Sequence, residues 1–190
     1  MATLNKKIGL LGGSFNPAHA GHLEISLSVV KELGIDEIWW IITSNNPFKN
    51  KSHYLPLEER KSIASQIIKD APIVIKEFES QLNSPYTIDL INHITENSDD
   101  KFVWIMGSDN VSEFKDWHKP NEILSSVKVA ICNRPDYELN DNNLQDGLGC
   151  DTNLIFKGNT ADFMESDTTQ IIYIKSTNNK ISSTSIRKEA

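Results

Sequence analysis

The stretch GGSFNPAHAGH, residues 12–22, concentrates groups able to hold a phosphate. Gly12 and Gly13 let a ligand approach the backbone closely. His19 and His22 are spaced to share one face near a helix start, where both rings can donate hydrogen bonds to anionic oxygens. A helix opening here would add its unpaired N–H groups and the positive end of its dipole. Generic fingerprints do not fit: there is no G-x-G-x-x-G, no G-x-x-x-x-G-K-[ST] and no H-E-x-x-H. A metal centre on the two histidines lacks acidic or cysteine partners nearby. Taken singly, either histidine reads as a surface group beside a glycine turn. The whole string reads better as a phosphate cradle.

A second cluster lies at the far end of the chain, in ISSTSIRK (181–188). The hydroxyls of Ser182, Ser183 and Thr184 and the guanidinium of Arg187 could meet the same polyphosphate from another side. Alone, the cluster is more ordinarily a capped, solvated helix start. Asp109, just past Gly107, suits a ribose contact or a helix cap. Trp117, in a polar segment after Phe114, can stack on a flat ring. Trp39, Trp40 and Trp104 lie in strand patterns and are expected in the core, and His93 on a helical pattern is expected to be structural.

These groups need a scaffold, and the chain alternates short β-type runs with helical patterns. Strands are expected at 7–13, 37–43, 72–79, 101–107, 128–135 and 169–175. Helices are expected at 22–34, 57–70, 86–97 with Thr87 as a cap, 121–127, and from 182 to the end. The Asn/Asp-rich segment 136–168 reads as a long loop or small insertion. The expected fold is α/β, a Rossmann-like, doubly wound and mainly parallel sheet with helices on both faces. It forms one domain over 1–190. The candidate groups then follow strand ends, where open α/β sheets bind ligands.

Bulk properties narrow the function classes. The 190 residues are 38% hydrophobic and 24% charged, with a net charge of −7 and two cysteines. A soluble, cytoplasmic, reduced protein is expected, with no disulfide framework and no leader. The negative charge argues against nucleic acid or an anionic membrane as a partner, but not against a small phosphorylated ligand.

The opening string resembles the G-G-[ST]-F-D-P-x-H-x-G-H signature of nucleotidyltransferases related to class I aminoacyl-tRNA synthetases, and ISSTSIR resembles their C-terminal I-S-S-T-x-[IV]-R motif. With NNPFK, SPYTIDLI and WIMGSDNVSEFKDWHKPNEI between them in order, the chain is similar to the bacterial nicotinate-nucleotide adenylyltransferase family over nearly its whole length. Asn16 stands where that family usually has Asp, and NPFK replaces its more common Pro-Pro-His-Lys.

The resemblance implies adenylyl transfer from ATP to nicotinate mononucleotide, with Mg²⁺ accompanying ATP. It implies that Gly12, Ser14 and Phe15 line the ATP site, and that His19 and His22 hold the phosphates as pyrophosphate leaves. Gly107 and Asp109 would sit at the ATP ribose, while Ser182, Ser183, Thr184 and Arg187 close on the triphosphate. Thr87 and Trp117 would meet the nicotinate ring, with Lys49 beside the phosphates. A homo-oligomer is compatible with it. Alternatives are a sibling enzyme acting on another acceptor, such as pantetheine phosphate, and a non-catalytic nucleotide-binding module.

Overall fold

Strand alternation explains most of the architecture. In the computed structural model, which describes residues 5–43, 54–78, 81–82, 84–135, 137, 139–149, 154–166, 168, 170–175 and 181–189, the strands run β1 (Lys7–Gly13), β2 (Glu37–Ile42), β3 (Ile73–Lys76), β4 (Lys101–Gly107), β5 (Lys128–Cys132) and β6 (Ile171–Ile174). All neighbouring pairs are parallel, in the order β3-β2-β1-β4-β5-β6. Side chains alternate between faces along each strand. Ile38, Trp40 and Ile42 of β2, with Val103 and Ile105 of β4, join one core. Ile8 and Leu10 of β1, with Phe102, Trp104 and Met106 of β4, join the other. Burial on both faces accounts for near-continuous apolar strands.

The first core is covered by α1 (Ala20–Leu33), α2 (Leu57–Ile68) and a 3-10 turn (Thr160–Glu165). The second is covered by α3 (Thr87–Glu96), α4 (Val111–Phe114), α5 (Pro120–Ser126) and α6 (Asp141–Leu148); α7 (Ser183–Glu189) closes the chain. The strand order reverses between β1 and β4, so the loops after Gly13 and Gly107 open at one topological switch point.

Several boundaries differ from expectation. Helix α1 starts at Ala20, making His19 its N-cap and placing His22 in its first turn. Thr87 is the first helical residue of α3 rather than its cap; Tyr86, extended at φ −92° and ψ 138°, takes that position. Strand β3 is shorter than 72–79, and β5 stops at Cys132, before Pro135 enters a turn bridged between Arg134 and Tyr137. Segment 136–168 is not a plain loop. It contributes α6, whose Leu144 and Leu148 are buried beneath α4, and the 3-10 turn, whose Phe163 and Met164 are buried against α1. Among the described residues, no helix is long and apolar enough to cross a membrane.

Candidate active site

The β1–α1 turn is unusual in its backbone. Phe15 sits at φ 44°, and the Asn16–Pro17 peptide is cis. Phe15 nevertheless is 2% exposed, with its ring stacked on Trp40 at 4.9 Å and tilted against His22 at 4.7 Å. Trp40 donates from Nε1 to Ser26 Oγ at 2.8 Å, and Ser26 Oγ donates to the His22 carbonyl at 2.9 Å. An aromatic wall from β2 and the first turns of α1 therefore fixes the imidazoles.

The two histidine rings lie 3.8 Å apart. The His19 N–H donates to His22 Nδ1 at 3.2 Å. Because that nitrogen accepts, neutral His22 carries its proton on Nε2, leaving a single N–H donor for a ligand. His19 is 4% exposed, and its Nδ1 has no hydrogen-bond partner among the described residues. A buried, unpaired ring nitrogen costs about 1–3 kcal/mol. Its presence beside a helix N-terminus is what a preformed anion site would show. Burial first, then the Arg134 guanidinium, pushes the His19 pKa down to about 4. Burial, then His19 and Arg134, holds His22 well below the usual imidazole value. Both rings are neutral donors at pH 7.

A stability consequence follows. Above pH 7 His19 is neutral in both folded and unfolded chains. Between its ordinary value of 6.5 and about 4, the unfolded chain binds a proton that the folded chain refuses. Stability is therefore present above 6.5 and lost as pH falls through this window. Chemical denaturation at stepped pH should show this limb, and His19→Gln should reduce it, with His22 keeping its own share. An unchanged limb in the variant would refute the assignment.

The C-terminal cluster docks on the same turn. Ser183 Oγ donates to the Pro17 carbonyl at 2.9 Å, and Arg187 Nη1 donates to the Asn16 carbonyl. Arg187 Nη2 reaches Thr184 Oγ1 at 3.1 Å, and Ser182 and Ser185 cap α7 through reciprocal N–H to hydroxyl bonds at 3.1 Å each. Neither α1 nor α7 carries an acidic residue in its first turn. The two motifs, remote in sequence, thus share one turn.

The third wall follows β4. Asp109 Oδ1 lies 3.5 Å from Arg134 Nε, and Arg134 Nη1 is 3.5 Å from the Ile181 carbonyl. Arg134 joins the β4 loop to the C-terminal motif and adds to the effect of burial in keeping the histidines neutral. Gly107 makes room here, since a Cβ would stand 2.2 Å from Asp109 Oδ1 and 3.3 Å from Arg134 Nε. Gly12 faces the Trp104 indole, which would be 2.5 Å from an added Cβ.

Thr87 opens α3, and Trp117 follows α4. Trp117 packs on Phe114 at 5.2 Å and is half-buried. Its neighbour His118 stacks on Tyr86 at 4.1 Å, drawing the start of α3 to the segment after α4. Lys49 and His53 lie outside the described residues. His93 Nε2 is 3.1 Å from Gln81 Oε1, a structural contact as expected. Trp40 and Trp104 are buried in the core, also as expected, whereas Trp39 is half-buried at its margin beside Phe78 and Phe102.

Two residues were not assigned a role from sequence. Arg134 stands out in sequence only through the Arg134–Pro135 step after β5, which the resembled family often has and which suggests no role by itself. Arg60 sits on the buried stripe of α2 with Leu57, Ala64 and Ile67, a charge at a position where the helical period demands an apolar group.

Among the described residues no group of three or more His, Cys, Asp or Glu side chains is placed to hold a metal ion. The donor set is instead one of hydroxyls, imidazoles, guanidinium groups and backbone N–H groups, which suits phosphate oxygens rather than a cation.

Comparison with known proteins gives the family. A family model described as cytidylyltransferase-like matches residues 10–189. A probable nicotinate-nucleotide adenylyltransferase of Methylorubrum extorquens (strain PA1) is 42% identical over 134 residues, covering 70% of this chain and 72% of the relative. A protein of the same name from Rhizobium meliloti (strain 1021) is 37% identical over 129 residues, covering 67% and 69%. The solved Plasmodium falciparum nicotinic acid mononucleotide adenylyltransferase complexed with NaAD has the same fold, with a TM-score of 0.72 at 23% identity over 97% of this chain and 83% of that one. With its motifs in order and the two phosphate-type clusters folded onto one turn, the chain belongs to the cytidylyltransferase-like family and, within it, to the nicotinate-nucleotide adenylyltransferases.

Proposed function

We propose that the chain transfers the adenylyl group of ATP to nicotinate mononucleotide, giving nicotinate adenine dinucleotide and pyrophosphate. The observation that carries the reading is the docking of Ser183 and Arg187 on the carbonyls of Pro17 and Asn16, beside the His19–His22 pair. That arrangement supports a triphosphate held between α1 and α7 in a family whose relatives bear this activity in their names.

A phosphate oxygen of the mononucleotide attacks the α-phosphorus; the bond to the bridging oxygen breaks, and its electron pair leaves with pyrophosphate. Charge accumulates on the bridging and non-bridging oxygens, and the protein's part is to position them and to neutralise that charge. The His22 Nε2–H and His19 donate to these oxygens, with Ser182, Ser183, Thr184 and Arg187 closing from the other side. Backbone groups of Gly12, Ser14 and Phe15 line the nucleotide, and Asp109, with Gly107 making room, accepts from the ribose hydroxyls. Mg²⁺ enters with ATP as part of the substrate, held by its phosphates and water. Thr87 and Trp117 receive the acceptor's pyridine ring, Trp117 by stacking, and Lys49 lies beside the phosphates. The reaction belongs to NAD biosynthesis in the cytoplasm.

Pyrophosphate release from ATP and Mg²⁺ should be strong with nicotinate mononucleotide, and at least tenfold weaker with the amide analogue or phosphopantetheine, the factor expected from one charge-assisted hydrogen bond. Release with phosphopantetheine alone would move the chain to a sibling activity. ATP binding without release for any acceptor would make it a binding module.

A further inference from the structure

The turn that carries the phosphate groups is held from below by a buried charge. Arg60 is 1% exposed, and its guanidinium spends its donors on backbone carbonyls from three connections: Nη1 on Ser14 at 2.5 Å and on Thr43 at 2.8 Å, and Nε on Leu55 at 3.0 Å. The Leu55 N–H in turn donates to Asn16 Oδ1 at 3.0 Å, and the Thr43 N–H donates to the Gly13 carbonyl at 3.0 Å. Thus one side chain joins Ser14, just past β1, to the residue after β2 and to the approach to α2, and two further hydrogen bonds tie the same segments to Gly13 and Asn16. A buried guanidinium is costly unless its N–H groups are satisfied. A hydrophobic residue, as the stripe of α2 otherwise demands, would fill the space without touching the turn.

The peptide plane supplies the functional consequence. Ser14–Phe15 is a trans peptide, so its C=O and N–H point in opposite directions. With the Ser14 carbonyl drawn down onto Arg60, the Phe15 N–H must face away from the buried guanidinium. The positive φ of Phe15 is held by that bond on one side and by ring packing on His22 and Trp40 on the other.

We propose that Arg60 is a positioning residue for the transfer reaction: it locks the Ser14–Phe15 peptide so that the Phe15 N–H is presented to the nucleotide phosphates. This rests on the adenylyl-transfer reading. Lysine keeps the charge but cannot span the carbonyls of Ser14, Thr43 and Leu55 from one planar fork. Arg60→Lys should therefore keep the fold while lowering kcat by about tenfold, the size of one charge-assisted hydrogen bond. Arg60→Ala should lose more, and guanidinium ion, well below concentrations that unfold the protein, should restore part of its kcat. A purely structural arginine would leave the kcat of folded Arg60→Lys unchanged, and that result would overturn the proposal.

A second measurement needs no variant. In the wild-type protein, the Phe15 amide resonance should move on saturation with a non-hydrolysable ATP analogue; a stationary resonance at saturation would also overturn the proposal, whether or not the variants fold. Wild-type protein that binds the analogue and shifts Phe15 but releases no pyrophosphate with any acceptor would sink adenylyl transfer while leaving Arg60's hold on the turn supported.

Discussion

His22→Ala is expected to lower kcat/KM for ATP by about 100- to 1,000-fold, with kcat bearing most of the loss. The hydrogen bond from the His19 backbone N–H to His22 Nδ1 assigns the remaining proton to Nε2. That donor is stiff: its ring is confined by His19 at 3.8 Å, Phe15 at 4.7 Å and the Trp40 edge at 6.0 Å. A donor held in place beforehand costs no reorganisation as charge moves toward the leaving pyrophosphate, and removing one such donor has an effect of that order. Burial and the Arg134 guanidinium keep the ring neutral in the free protein, so donation does not depend on imidazolium and should persist above pH 7. Alanine also strands the His19 N–H, which should cost about 1 kcal/mol or more in stability. The fold should survive that. Initial rates of pyrophosphate release, beside a thermal melt, decide the matter: turnover within a factor of a few of wild type in a folded variant would remove His22 from the reaction.

The sheet was legible because its strands are apolar nearly throughout and end in turn residues; IGLL, IWWII and FVWIM announce burial on both faces. The β1–α1 turn was legible as a candidate string, and the C-terminal motif as its candidate partner. That the two meet on one turn depends on Ser183 and Arg187 reaching the Pro17 and Asn16 carbonyls across most of the chain, which no local pattern encodes. Thr87 as a cap failed by one residue, because the Pro85–Tyr86 step is extended and the helix begins only after it. Segment 136–168 read as a loop because its polar residues outnumber its apolar ones. Leu144, Leu148, Phe163 and Met164 suffice to anchor α6 against α4 and the 3-10 turn against α1. Arg60 was hidden for a different reason. Its significance lies wholly in backbone carbonyls, which every sequence contains and none displays.

Gly107→Ala should raise the Kd for ATP by about 10- to 100-fold while leaving the protein folded. Gly107 ends β4 with φ −76° and ψ 153°, a conformation that alanine adopts freely, so backbone strain is not the issue. Space is. The added methyl would stand 2.2 Å from Asp109 Oδ1, inside any permissible contact, and 3.3 Å from Arg134 Nε. The Asp109 carboxylate has a short side chain and must swing away, breaking its approach to Arg134 at 3.5 Å and to Asn110 Nδ2 at 3.3 Å. If Asp109 accepts from the ribose, the loss is that of a hydrogen bond to a charged group, about 1.5–3 kcal/mol, which converts to the stated range. Gly9→Ala is the internal control. Its Cβ would meet Ile38 Cδ1 at 2.4 Å and Ile105 Cδ1 at 2.7 Å, the far ends of flexible core side chains remote from the loop. That change should lower stability through overpacking, by about 1–3 kcal/mol, with ATP affinity in the folded fraction unchanged. Calorimetric titration of both variants separates the two effects. Equal ATP affinities for Gly107→Ala and wild type would show that Asp109 does not hold the nucleotide, and would leave its contacts with Arg134 and Asn110 as a loop clasp only.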